Sequence, residues 1–459
     1  MSLHHGSMER QQEYVLRTVE ERGVRLIWLW FTDVLGQLKS FAISPAELET
    51  AFAEGMHFDG SAINGFSRLQ ESDVLARPDA NTFELLPWSM ADDNSARMFC
   101  DIEDLEGNPF EGDPRGILRR NLDRARERGF SFYCAPELEF FYFADGDPST
   151  PLVPLDSGSY FDLTTADVAS DLRKRTIHTL EAMSIPVEYS FHEDSPSQHE
   201  IDLRYDDALS MADSIMTARL VVREIALERG VYATFMPKPL EGVQGSGMHT
   251  HLSLFEGDVN AFHDPGDEMG LSKVGRHFIA GLLRHAPEIT AVTNQRVNSY
   301  PRLVQGTGTG SQTVFEAPVF VSWGRNNQSA LVRVPVVKRG KESSTRIEYR
   351  APDPACNPYL AYSVLLAAGM KGVQEGYDLP DPQQGNIFEL TPEERAAEGL
   401  HPLPQSLSDA LDAMEHSDLV AEALGEHVHD WFLRNKRNEW AAYKAQVTPF
   451  ELARYLPVW

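Results

Sequence analysis

The run VRLIWLWFTDVLGQLKSFAI, Val24–Ile43, is apolar on both sides of a short polar break, which predicts two strands around a turn. Ser44 and Pro45 then read as a helix start. Two more apolar runs, TFELLPW at Thr82–Trp88 and SARMFCDI at Ser95–Ile102, predict further strands and complete a compact ββαββ unit. Beyond it the period lengthens. Apolar positions recur at three- and four-residue intervals over Ile117–Arg128, Val168–Met183, Asp207–Arg229 and Leu271–Val292, predicting helices, with Gly129 and Gly230 as C-terminal stops. Strand patterns separate these helices: FYCAPELEFFYF, VEYSFHE, HEIDLRY, YATFMPK, MHTHLSLF and RIEYR.

The predicted class is α+β, with a small N-terminal domain over 8–112 and a larger α/β domain over 113–459 built around a mostly antiparallel sheet. The opening MSLHHGS, residues 1–7, reads as a cloning remnant and is set aside. Gln305–Thr313, QGTGTGSQT, offers many backbone conformations and nothing to bury, so a mobile loop is expected. The chain closes on the apolar FELARYLPVW, which predicts a subunit contact.

Composition narrows the class. Hydrophobic residues make up 42% and charged residues 24%, the mixture of a folded globular chain. A formal charge of −28 repels phosphate backbones and anionic membranes, so nucleic-acid and membrane partners are not expected. Cys100, Cys134 and Cys356 lie far apart without C-x-x-C spacing, which excludes a disulfide framework or thiolate zinc site and fits a reducing cytoplasm.

Candidate chemistry lies on the strands. Alternation places Glu137 and Glu139 of PELEF on one face. A lone Glu-x-Glu would read as a solvated face; the flanking Phe132, Tyr133, Phe140, Phe141 and Tyr142 make this strand a buried one. The same spacing puts His249 and His251 together in MHTHLSLF, and Arg346, Glu348 and Arg350 together in RIEYR. Glu193 and Glu200 bracket the turn-rich DSPSQH. Clustered carboxylates with an imidazole suit hard divalent cations, Mg²⁺ or Mn²⁺, and five Glu with one His suit two ions better than one. Buried carboxylates without a cation would repel each other strongly. The glycine-rich GVQGSGMHTH could bring backbone N–H groups of Gly242, Gly245 and Gly247 to an anion, although it is neither a Walker A loop nor a dinucleotide fingerprint. Arg302, Arg333, Arg346 and Arg350 fall near these segments as carboxylate or phosphate partners.

The chain resembles bacterial type I glutamine synthetases over nearly all its length after Met8. The resemblance is carried by FDGS (58–61), PELEF (136–140), QHEIDLRY (198–205), GSGMHTHLSL (245–254), NSYPRL (298–303), FEAP (315–318) and RIEYRAPDPACNPYLA (346–361). It implies a β-grasp-like N-terminal domain, a catalytic domain with a curved sheet, and a homo-dodecamer of two hexameric rings with sites between neighbouring subunits. It also implies an ATP-dependent ligase acting on glutamate and an amine or ammonia. One metal would be held by Glu139, Glu193 and Glu200, the other by Glu137, His249 and Glu348. Arg302, Gln244, Gly245, Arg350 and Tyr160 would bind substrate, and His251, Ser253, Arg333 and Arg346 the nucleotide. Asp59, from an adjacent chain, would deprotonate the incoming amine, and Glu316 would close over the acyl phosphate.

Departures from the family pattern concern the acceptor. Ala62 replaces a serine near the ammonium pocket, the loop before Glu316 is longer, and Gln328 stands where an arginine is usual, with Arg325 nearby. Gln244 replaces an asparagine, Phe191 a histidine beside Glu193, and Phe388 the tyrosine that is adenylylated in some members, so that control is expected to be absent. Three readings follow: γ-glutamylation of a primary amine or polyamine, glutamine synthesis from ammonia, and a non-catalytic oligomer.

Overall fold

The computed structural model describes residues 2–66, 73–88, 94–163, 168–304, 317–325, 327–338 and 340–459, the first seven of these as backbone only. Two sheets organise the chain. The first has strands β1 (Leu26–Thr32), β2 (Leu38–Ile43), β3 (Met56–Asp59), β4 (Asp73–Pro78), β5 (Glu84–Leu85) and β6 (Ser95–Glu103), in the order β2-β1-β6-β4-β3, with β5 also on β6. β1 runs parallel to β6 and the other pairs are antiparallel. The helix Leu48–Glu54 covers this sheet through buried Leu48, Ala51 and Phe52.

β1 is buried on both faces, which explains its unbroken apolar run. Ile27, Leu29 and Phe31 enter the small core, while Trp30 packs edge-on against Phe99, ring centroids 5.6 Å apart, in the larger core beyond. The β1–β2 turn needs Gly36: its φ is +78°, and a Cβ there would sit 3.0 Å from the Asn357 Cα. Asn357 clamps that turn, donating to the carbonyls of Asp33 and Val34 at 3.1 and 3.2 Å, and caps the helix Pro358–Glu375 with its Oδ1. A buried charge cluster fixes the same junction. Arg115, 3% exposed, donates to Asp101 at 2.6 Å, Asp79 at 2.9 Å and Asp213 at 2.9 Å.

The second sheet comprises β7 (Ser131–Phe143), β8 (Val187–His192), β9 (Gln198–Leu203), β10 (Asp206–Asp207), β11 (Tyr232–Thr234), β12 (Thr250–Glu256), β13 (Val259–Asn260), β14 (Trp323–Arg325), β15 (Val332–Val334) and β16 (Ile347–Tyr349). Its central order is β14-β15-β16-β12-β7-β9-β8, and only β14 and β15 pair in parallel among the described residues. Helices Pro114–Arg126, Ala208–Glu228, Lys273–Thr293 and Pro358–Glu375 pack on one face around Leu138, Phe140, Met248, Leu252 and Ile347. The other face is left for polar side chains.

Most predicted elements are present, all four predicted helices ending, and three of them also beginning, within two residues of expectation. The first helix was not expected: Ser2–Glu21 is continuous and begins inside the residues set aside as a remnant. β3 and β4 were not expected, being short and mixed in pattern, and TFELLPW forms only the two-residue β5 behind a 3₁₀ turn capped by Asp79. The QGTGTGSQT loop lies outside the described residues. Phe450, Leu456 and Trp459 at the C-terminus are 66%, 74% and 97% exposed. No helix among the described residues is long and apolar enough to cross a membrane.

Candidate active site

The site forms where strand alternation turns acidic and basic side chains to the face that the helices leave open. β7 pairs with β9 so that Glu137 lies opposite Asp202 and Glu139 opposite Glu200. On its other side β7 pairs with β12, and β12 with β16, setting His251 beside Glu348, which in turn faces Arg333 of β15. His249 arrives one residue ahead of β12, its carbonyl accepting the Glu137 N–H at 2.8 Å.

Distances show how tightly these groups converge. His249 Nδ1 is 3.1 Å from Glu137 and 3.8 Å from Glu348, and His251 Nε2 is 2.9 Å from Glu137. Glu348 is fully buried and accepts from Arg350 at 2.6 Å and from Arg333. Glu139 accepts from Gln198 Nε2 at 2.9 Å and from the Gly247 N–H at 3.0 Å. Gly247 is required here, since a Cβ would lie 2.5 Å from Arg302 Nη2 and 3.0 Å from Glu139 Oε1. The glycine-rich segment was expected to offer N–H groups to an anionic ligand; the Gly247 N–H serves the Glu139 carboxylate instead. Arg302 is buried and anchored by the carbonyls of Ala351 and Arg350 at 2.7 and 3.1 Å.

Charge is unevenly distributed around this space. Burial would raise the Glu137 carboxyl, but the His249 and His251 bonds outweigh it and hold it well below the usual range. Glu348 is likewise lowered, with Arg350 overcoming its burial. Glu200 is pushed well above its usual range by burial and by Asp202, Glu137, Glu139 and Glu193 around it, and Asp202 rises to about 7, chiefly by burial. Such a cluster is short of positive charge on the β9 side.

The donor set fits hard divalent ions. Ligand atoms of Glu137, His249 and Glu348 lie within 4.8 Å of one another, as do those of Glu137, Glu200 and Asp202. Oxygen-rich shells with one imidazole suit Mg²⁺ or Mn²⁺. Glu139 and Glu193 line the same cavity as Glu200 without forming a trio that tight among the described residues.

Two adjoining cavities share this floor. The inner one, of about 210 Å³, is lined by Glu139, Tyr160, Glu193, Gln244, Gly245, Arg302 and Arg350, with Gln328 also on its wall. The outer, of about 550 Å³, is lined by Tyr133, His251, Ser253, Lys338, Lys341 and Arg346. Glu137, Asp202 and Arg333 border both, so a group passing between the cavities crosses the acidic floor. Tyr160 and Phe191 line the inner cavity and Phe161 packs against both: Tyr160 and Phe161 lie 4.1 Å apart, and Phe191 lies 5.7 and 4.8 Å from them.

While Gly242 lines neither cavity, the described candidates on β7, β9, β12, β15 and β16, with Tyr160, Glu193, Gln244, Gly245, His249, Arg302, Arg346 and Arg350, are thus brought together. Asp59 is not: it ends β3, exposed, its carboxylate accepting the Ser61 N–H at 2.8 Å, and it lines neither cavity of its own chain. Arg325 lines neither cavity, and Glu316 lies outside the described residues. Sequence reasoning missed Asp202, Lys238, Gln198 and His192. Asp202 stands two residues after Glu200 on one strand face, the spacing that singled out Glu137 and Glu139. His192 accompanies Glu193, with Nδ1 2.6 Å from the Glu193 carbonyl and Nε2 2.9 Å from Asp156; a single buried histidine carries no sequence signal.

The family described as glutamine synthetase, catalytic domain, matches residues 111–455, and the glutamine synthetase beta-Grasp domain matches 23–105. A Mycobacterium tuberculosis protein (strain H37Rv) named glutamine synthetase is 58% identical over 453 residues, covering 98% of this chain and all of the relative. One of the same name from Mycolicibacterium smegmatis is 57% identical over 452 residues, again 98% of this chain and all of the relative. Among solved structures, a GmaS/ADP complex superposes with a TM-score of 0.85 at 30% identity, covering 96% of this chain and 99% of that one.

Proposed function

The chain belongs to the glutamine synthetase family, and from that premise we propose that it is a γ-glutamylamine synthetase. Membership makes it an ATP-dependent ligase that uses glutamate, ATP, divalent metal and ammonia or an amine. The proposal concerns the nitrogen: a primary amine or polyamine displaces phosphate from γ-glutamyl phosphate.

The observation that carries it is the aromatic wall. Phe191 and Tyr160 both line the inner cavity and pack edge-on, with Phe161 against them. Rings at that position gain nothing from a bare ammonium ion beyond its charge, whereas an alkylammonium can bury methylene groups on them and keep its charge toward the carboxylates. Ala62 adds to this reading by removing a hydroxyl expected near the nitrogen.

The residue roles follow from the two cavities. Arg302 and Arg350 would hold the glutamate carboxylates with Gly245 and Gln244, because fixed guanidinium forks match carboxylate geometry. Tyr160 would face the acceptor. His251, Ser253, Arg333 and Arg346 would hold the nucleotide in the outer cavity, with Arg333 reaching the phosphates at the shared border. Two divalent ions, one on Glu137, His249 and Glu348 and one on Glu139, Glu193 and Glu200, would supply charge neutralisation to the transferring phosphoryl group. Asp202 would add a carboxylate between the two ions, beside Glu137 and Glu200 across the β7–β9 register. Asp59 would take the proton of the incoming aminium, and Glu316 would shield the acyl phosphate from water. Asp59 lies outside the cavities of its own chain, which supports a supply from a neighbouring subunit, and the exposed apolar C-terminus supports a dodecamer.

The names of the mycobacterial relatives favour a second reading, glutamine synthesis from ammonia. ADP release with glutamate and, in turn, putrescine, ethanolamine, methylamine or ammonium separates the two. A higher kcat/KM for a carbon-bearing amine supports the proposal; ammonium as the best acceptor removes it.

A further inference from the structure

The β1–β2 hairpin leans on the catalytic domain and encloses a separate cavity of about 610 Å³ that shares no lining residue with either cavity described above. Its charge is opposite to that of a chain carrying −28: Arg219, Arg223 and Arg296 line it, with Glu439 the one acid among the described lining residues. That acid is already matched. Fully buried Lys436 donates to Glu439 at 2.8 Å, and the Val297 N–H approaches its other oxygen at 3.3 Å.

The arginines are not matched by any carboxylate within ion-pair distance among the described residues. Arg219 is 7% exposed; it donates Nη2 to the Cys356 carbonyl at 2.9 Å, places Nη1 3.7 Å from the Met216 sulfur, and its buried Nε has no hydrogen-bond partner. Arg223 lies over the Phe235 ring, 5.6 Å from its centroid, and Arg296 donates to the Leu35 carbonyl at 3.2 Å. Arg219, withdrawn from water with one carbonyl oxygen as its acceptor, is an incomplete electrostatic arrangement, and an anion held between it, the half-buried Arg296 and the exposed Arg223 completes it.

We propose that this cavity is a binding site for a compact dianion, a small dicarboxylate or a phosphate, held by these three arginines. Its walls reach the catalytic cavity. Asn298 on its rim bonds both the N–H and the carbonyl of Lys238 at 2.8 and 3.0 Å, and Lys238 lines the inner catalytic cavity. Pro354 and Ala355 lie just past Pro352 and Asp353 from the Arg350–Ala351 segment whose carbonyls anchor Arg302. The cavity wall thus adjoins Lys238 and the segment that anchors Arg302 in the inner catalytic cavity.

Trp30 lines the cavity and reports on it. Inorganic phosphate and glutarate are titrated separately into the full-length protein, reading tryptophan fluorescence and, in parallel, calorimetric heat. Saturable binding of one or both probes at about one per chain is expected, with Kd of order 1 mM or tighter. Arg223→Gln and Arg296→Gln each weaken it at least tenfold at an unchanged melting temperature, and Trp30→Phe removes the fluorescence change while leaving the heat. Arg223 is exposed at the rim, so its replacement does not disturb the core. No saturable heat with either probe, or undiminished binding in both arginine variants, overturns the proposal.

Discussion

Replacing Glu200 by glutamine removes an ionisable carboxyl from the floor of the site while keeping the shape of the side chain. Ligand atoms of Glu137, Glu200 and Asp202 lie within 4.8 Å of one another. At an effective dielectric of about 20, two ionised carboxylates at that separation repel by roughly 3.5 kcal/mol. Burial and these neighbours hold the Glu200 carboxyl well above its usual range, so in the metal-free protein its neutral form is favoured relative to a free glutamate, and glutamine is a near match for that form. Glu200→Gln should therefore leave metal-free stability within ~1 kcal/mol of wild type. With metal the two proteins part. An ion at a hundred times its Kd stabilises the wild type by about 2.7 kcal/mol. Over 459 residues, at about 2.1 cal/mol/K each, that is a rise of ~3 °C in Tm. Scanning calorimetry at neutral pH, in EDTA and then with MnCl₂ or MgCl₂, reads both effects. The expected result is an unchanged midpoint in EDTA and a metal-induced rise reduced by about that amount. A fall of several degrees in EDTA, or a full metal response in the variant, would refute the electrostatic account of the β9 side.

Three further outcomes are expected. Gly247→Ala places a methyl 2.5 Å from Arg302 Nη2 and 3.0 Å from Glu139 Oε1, so glutamate-dependent ATP turnover should fall by roughly a hundredfold or more, as a misplacement near the reacting groups costs; steady-state kinetics with retained circular dichroism check it. Phe191→Ala removes the ring expected to cover about two methylenes of the acceptor, roughly 1.4 kcal/mol at partial burial, so KM for putrescine should rise about tenfold with ammonium kinetics changed less than ~2-fold. Asp113, 1% exposed, is pushed up to about 7 by burial, with Asp101 adding to it. Its folded pKa lies above the unfolded value, so the native state holds the extra proton and stability drops as pH rises from about 4 to about 7, by of order 4 kcal/mol at most. Asp113→Asn should erase that drop, its gain over wild type in thermal midpoint being larger at pH 8 than at pH 5; the opposite slope contradicts the assignment.

Strand alternation made most of the site legible. Glu137 with Glu139, His249 with His251 and Glu348 with Arg350 each sit two residues apart, and a spacing of two fixes a shared face before any partner strand is known. What alternation cannot supply is register. Only the pairing of β7 with β9 shows that Asp202 faces Glu137 and completes a tight trio with Glu200. Gly247 was only half legible for a related reason: a flexible backbone announces close approach without saying to what, and the group its N–H approaches is the Glu139 carboxylate. The helix Ser2–Glu21 starts in residues that composition alone marks as foreign, and β3 is too short for a period. The arginine-lined cavity was illegible for the plainest reason, since Arg219, Arg223 and Arg296 are brought together by packing between β1–β2 and two distant helical segments.

The central claim is that carbon-bearing amines, rather than ammonia, enter beside Phe191 and Tyr160. It is tested most directly by competition: equimolar putrescine and ammonium with glutamate, ATP and magnesium, followed by mass spectrometry of the products. The account predicts that γ-glutamylputrescine exceeds glutamine by tenfold or more. Glutamine as the main product would contradict it.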